Sequence, residues 1–162
     1  AQERGIGSSK VTEKKDKTDY VTKVKGLLPS LKNLAMPDYL MIAKPAEGGF
    51  IEAEKIAESK EIPDSYAIVD CIYEGKKIKE LKKANVAVGF GPFGVFEKKK
   101  GGFSEGTDKI AESFNSVDIA VLGGGDSGEA YQKATKAKFS TGGGASIAYL
   151  SKKRLPAVEV LK

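Results

Sequence analysis

The chain has 162 residues, a net charge of +5 and 30% charged side chains, enough length for one domain with a real core. It has no histidine and a single cysteine, which excludes imidazole acid–base chemistry, an internal disulfide and a thiolate-cluster zinc site. Of its 27 basic residues only Arg4 and Arg154 are arginine; nucleic-acid readers lean on bidentate arginine, so the charge reads as a solvated lysine surface and no nucleic-acid partner is expected.

No stretch is long and apolar enough to cross a bilayer, and no apolar signal-peptide core stands at the start. A soluble intracellular protein is the expectation, cytoplasmic or within an organelle, without membrane insertion. Gly7-Ser8-Ser9-Lys10 is a turn signal, and Lys10, Lys14 and Lys17 then fall at helical spacing, one lysine face of a short helix. Tyr20–Leu34 places Val21, Val24, Leu27, Leu28, Leu31 and Leu34 on a helical stripe that Pro29 interrupts. Tyr39–Ala43 reads as a buried strand, ended by Lys44-Pro45, and Ala46–Phe50 as a loop. The composition of Ile51–Lys60 predicts a helix. Tyr66–Ile72 predicts a strand, Lys76–Lys83 an amphipathic helix, and Val86–Val88 the next strand.

Gly89–Glu97 (GFGPFGVFE) is a glycine-rich apolar loop. It suits a hydrophobic plug at the base of a sheet, or a nucleotide-pocket wall in which Glu97 accepts from ribose hydroxyls. A helix is predicted over Ser104–Phe114. Then come two matching arrangements: Ile119–Leu122 runs into Gly123-Gly124-Gly125-Asp126-Ser127, and Ala137–Phe139 into Ser140-Thr141-Gly142-Gly143-Gly144. Each pairs a short apolar run with glycines that let a ligand approach the main chain, and with a helix start whose free N–H groups attract phosphate. Each alone also reads as an ordinary glycine turn of an α/β protein; two side by side at the carboxyl edge of a parallel sheet would make a polyphosphate cradle, with Asp126 able to hold magnesium. Strands alternate with helices, which implies α/β architecture, a mainly parallel sheet with helices on both faces, in one domain spanning 1–162.

Gly91-Pro92-Phe93-Gly94-Val95-Phe96-Glu97, Gly123–Ser127 and Ser140–Ser146 together, in that order and spacing, resemble the C-terminal, nucleotide-binding half of phosphoglycerate kinase. Leu155–Val158 is similar to the family's ending, Ser9–Lys14 to its first C-domain loop and helix, and Pro37–Ile42 and Glu61–Asp70 to two further segments. The resemblance covers nearly the whole chain and implies a three-layer αβα, Rossmann-like domain. It implies ATP or ADP with Mg²⁺ as ligand: Lys14 on the nucleotide phosphates, Lys10 near the transferring phosphoryl group, Glu97 on the ribose, Asp126 on Mg²⁺. Ser127 and the Gly123–Gly125 backbone would bind phosphates, and the Gly142, Gly143 and Gly144 amides would face charge on the phosphoryl in flight.

The chain also departs from the family pattern. The family's N-terminal substrate half is expected to lie outside this sequence, a helix-plus-strand unit is missing between Pro45 and Phe50, and Phe90 stands where the family has an asparagine. Ser8, Ala43 and Lys44 replace glycines on the adenine side. A two-domain kinase closes two halves on its substrates, so one half alone supplies binding only. The expectation is a nucleotide-binding domain that is not catalytic by itself and works with a protein partner supplying or replacing the missing half. The alternatives are one half of an active kinase, a phosphotransferase between 1,3-bisphosphoglycerate and ADP in glycolysis, and a purely structural recruit.

Overall fold

The computed structural model describes residues 7–9 and 20–161. Its elements in chain order are α1 (Tyr20–Leu27), β1 (Tyr39–Ala46), β2 (Gly49–Ala57), β3 (Ala67–Ile72), α2 (Gly75–Leu81), β4 (Val86–Phe90), α3 (Glu105–Phe114), β5 (Ile119–Gly123), α4 (Ser127–Ala130), β6 (Lys138–Ser140), α5 (Gly143–Leu150) and α6 (Pro156–Glu159). The chain divides into two compact units. One combines the chain up to Glu74 with Gly94–Phe103, and the other Gly75–Phe93 with the chain from Ser104.

The first unit is built on an antiparallel sheet in the order β2-β1-β3. The expected helix over 51–60 is instead strand β2. The residues are good helix formers, but local propensity is a weak prior. Glu47-Gly48, with Gly48 at φ 79°, closes a two-residue hairpin that sets Gly49 opposite Ala46 and zips β2 along β1. The register slips between Ile42 and Lys44, and Glu52 takes φ 51° at that bulge. Leu40, Ile42 and Ile62 form the core, packed by Ile56, Tyr66, Ile68 and Cys71. The stripe over Tyr20–Leu34 is helical only as far as Leu27, where α1 ends. It gives way to a 3-10 turn, Leu28–Ser30, at Pro29, whose ring cannot continue the ladder. Gly94–Phe103 returns to this unit through Val95 N–H, which donates to Val69 O at 2.8 Å.

The second unit holds the parallel sheet, in the order β4-β5-β6. Val86 pairs with Ile119, Phe90 with Gly123, and Gly123 with Ser140, so all three strands point their carboxyl ends the same way. Parallel neighbours require a crossover, and α3 supplies it between β4 and β5. Its first turn is acidic at Glu105 and Asp108, which suits the positive helix end. Its buried stripe (Ile110, Ala111, Phe114) covers the sheet face that carries Ala87, Ala120 and Leu122. Gly89 is small for that reason: a Cβ there would come within 2.7 Å of Leu122 Cδ2 and 3.3 Å of the Phe114 ring. Tyr131 packs against Phe114, ring centroids 6.2 Å apart, and is fully buried. On the other face Val86, Val88 and Ile119 remain exposed. The α/β class and the parallel sheet stand as expected; parallel pairing is confined to β4–β6.

Candidate functional site

The carboxyl ends of β5 and β6 lie side by side, and the glycine runs that follow them touch. Gly124 N–H donates to Ser140 O, at the end of β6, at 2.9 Å, extending the ladder one residue past β5. A Cβ at Gly143 would fall 2.9 Å from Gly124 Cα and 3.1 Å from Gly124 N, so only glycine lets the loops meet this closely. Gly124 sits at φ +118°, a conformation that disfavours any side chain. The structure thus brings Gly123–Asp126 and Gly142–Gly144 together at one edge of the sheet.

Several amides of these loops are spent internally. Gly142 N–H donates to Ser140 Oγ at 3.3 Å, Gly143 N–H to Thr141 O at 3.0 Å, and Ser127 N–H to Gly124 O at 3.3 Å. The N–H groups of Gly125, Asp126, Gly144 and Ala145 have no acceptor among the described residues. Orphan donors of this kind call for an anion or water. The Asp126 carboxylate is exposed and has no ion-pair partner among the described residues. A Mg²⁺ that travels with a nucleotide needs one carboxylate or two, with phosphate oxygens and water completing its shell, and this donor set fits it.

Ser127 plays a different part from the one its motif implies. Its side chain is buried, and its hydroxyl donates to Gly123 O at 2.8 Å while accepting from Gly91 N–H at 3.2 Å. The hydroxyl therefore ties the end of β4 to the end of β5. Tyr131 adds a second tie, its hydroxyl donating to Gly91 O at 2.9 Å, and burial pushes its ionisation up to about 12. Thr107, fully buried on α3, accepts from Phe93 N–H at 3.0 Å. Sequence reasoning missed Tyr131 and Thr107. Their one signal is chemical: a polar group on the core face of an element must find a partner. Phe90 lays its ring against β5, where a Cβ at Gly123 would meet Phe90 Cε1 at 2.4 Å, so this edge of the sheet carries an apolar wall.

Glu97 belongs to the first compact unit. Its carboxylate accepts from Lys100 Nζ at 2.8 Å, and that hydrogen bond holds its carboxyl below the usual carboxylate range. Lys10 and Lys14 lie outside the described residues. Ser8, Ala43 and Lys44 gather around Tyr66 and its neighbour Ala67, all within the first unit. Ser8 N–H donates to Tyr66 O at 2.7 Å, Ala43 pairs with Ala67, and Lys44 Nζ lies 5.4 Å from the Tyr66 ring centroid while paired with Glu52. Among the described residues no group of three or more acidic or thiol side chains is placed to hold a metal by itself. Among the described residues no helix is long and apolar enough to cross a membrane.

Comparison with known proteins gives one consistent family. The model of the phosphoglycerate kinase family matches residues 1–153. A phosphoglycerate kinase of Clostridium tetani is 34% identical over 170 aligned residues, which cover 99% of this chain and 41% of that protein. One from Borrelia duttonii is 36% identical over 153 residues, covering 89% and 38% respectively. The solved structure of phosphoglycerate kinase from Coxiella burnetii superposes with a TM-score of 0.71 at 24% identity, covering 99% of this chain and 42% of that one. The chain thus spans 38–42% of the length of these proteins.

Proposed function

The chain belongs to the phosphoglycerate kinase family, and from that premise we propose that its touching glycine loops bind the phosphates of ATP or ADP. The open N–H groups of Gly125, Asp126, Gly144 and Ala145 donate to phosphate oxygens, and Asp126 takes the accompanying Mg²⁺. What carries the reading is the Gly143–Gly124 contact, which merges two helix starts into one donor-rich rim. Mg²⁺, when bound, neutralises phosphate charge. Gly142, Gly143 and Gly144 hold the loop in the shape that exposes the donors.

The domain binds nucleotide but does not turn over alone, because phosphoryl transfer is positioning and charge stabilisation between two substrates. A protein partner supplies or replaces the other half. If that partner restores transfer between 1,3-bisphosphoglycerate and ADP, the chain is half of a working glycolytic kinase; the intact glycine rim favours keeping this second reading.

Calorimetry with ADP and Mg²⁺ tests the proposal. Gly143→Val should weaken ADP at least ~100-fold by prising the loops apart, and Asp126→Ala should weaken ADP roughly tenfold in Mg²⁺ but little in EDTA. An unchanged affinity in both variants refutes the site. Turnover by the chain alone in a coupled assay refutes its dependence on a partner.

A further inference from the structure

The second compact unit carries a cavity away from the glycine rim. It has a volume of about 380 Å³ and lies where α5 ends and α6 begins, with Tyr149, Lys152, Lys153, Arg154 and Glu159 in its wall. Its shape follows from how α5 stops. Lys153 N–H reaches back to Ala148 O and Lys152 N–H to Tyr149 O, both at 2.9 Å, the paired closure of a Schellman motif. That closure demands a left-handed residue just past Ser151. The residue is Lys152, at φ 57°, where glycine is the ordinary occupant. Extended Leu155 and then Pro156 open α6 immediately afterwards, so three consecutive cations are folded around one concavity.

Lys152, Lys153 and Arg154 have no ion-pair partner among the described residues. Against these three cations the wall sets the single carboxylate of Glu159, so it stays net positive, and a concave wall focuses that field on whatever enters. Arg154 is one of two arginines in the chain, and its forked guanidinium matches an oxyanion bidentately in a way lysine does not. Cations near a helix C-terminus also offset the helix dipole. That role is met from any position around the last turn and gives no reason to hold a lysine in a left-handed slot. A side chain kept where the backbone would prefer glycine points to a functional constraint.

We propose that this cavity binds a compact oxyanion carrying two or more negative charges, of the pyrophosphate type, at a site distinct from the glycine rim. The anion comes either as free pyrophosphate or as the tail of a nucleotide.

The test titrates inorganic pyrophosphate into the full chain at low salt. Lys152→Gly relieves the left-handed strain, so it should raise the melting temperature while weakening pyrophosphate roughly tenfold, and Arg154→Gln should weaken it by a similar factor. Lys98→Gln, on a basic loop elsewhere, should change nothing. In the Gly143→Val background, pyrophosphate binding should survive. There, pyrophosphate binding tighter than ADP identifies the free anion as the ligand, and equal binding identifies a nucleotide tail. Four results overturn the proposal. They are no pyrophosphate binding at all, its loss in Gly143→Val, an equal loss in Lys98→Gln, and a lowered melting temperature in Lys152→Gly with binding intact. The last would assign the lysines to the helix dipole.

Discussion

In the first compact unit, Gly94 is pressed against its own neighbours: a Cβ there would lie 2.4 Å from Phe103 O and 2.6 Å from Asp70 Oδ1. In the second, Gly143 is pressed against a different loop, and the atoms it meets belong to another glycine, Gly124. The first contact closes a core around the buried Asp70, whose Oδ1 also accepts from Cys71 N–H at 2.8 Å. The second contact leaves four amide donors facing outward. Similar crowding at a glycine thus serves interior packing in one unit and an open rim in the other. The difference is read from what surrounds each glycine, since the glycine itself gives no sign of it.

That contrast can be broken most sharply at Gly94. Gly94→Ala should cost about 3 kcal/mol in urea unfolding, because backbone and a buried carboxylate cannot retreat from the new methyl. ADP affinity of the folded fraction should stay within a factor of about two. A large affinity change with little stability loss would reverse the assignment of the two glycines.

The next effect concerns the clamp beneath the rim. Ser127→Ala leaves Gly91 N–H without its acceptor and Gly123 O without its donor, and should cost roughly 1–3 kcal/mol. Equilibrium unfolding measures the cost, and Ser127→Thr, which keeps the hydroxyl, should recover part of it. If instead Ser127→Ala is neutral in stability and impairs only ADP binding, the hydroxyl faces the ligand and the clamp is refuted.

The smallest effect is Tyr131→Phe, about 1 kcal/mol at neutral pH for the lost hydrogen bond to Gly91 O. Its pH dependence carries more information. Burial raises Tyr131 from an ordinary value of 10.0 to about 12, so the folded state holds this proton more tightly than the unfolded chain does. The stability from that preference is complete below pH 10 and is lost as pH rises to about 12. The alkaline limb of a stability–pH curve should therefore flatten between those values in Tyr131→Phe. An unchanged limb would mean that the hydroxyl is solvated in the folded protein.

Much of the parallel unit was legible in the sequence. Ile119–Leu122 is a short apolar run that ends in glycines, and a strand buried on one face with a loop at its end writes that pattern directly. The meeting of the two glycine loops was also legible, through the resemblance of the whole series of motifs. β2 was not, because IEAEKIAESK has helix-forming residues and its strand is dictated by pairing to β1 across the Glu47-Gly48 turn. The Ser127–Gly91 and Tyr131–Gly91 ties join residues 36 and 40 positions apart; no local spacing announces them. Lys44 was legible as a substitution, but its pairing with Glu52 depends on a bulge that only the register reveals.

The solitary cysteine has a practical consequence. Cys71 sits half-buried in β3, and burial, followed by the charge of Asp70, raises its thiol pKa. It stays sluggish toward alkylating reagents while β3 holds its place and gains reactivity when that strand opens. The first compact unit thus carries its own built-in gauge: timed alkylation of Cys71, read by mass spectrometry, follows the opening of β3 on the unmutated protein.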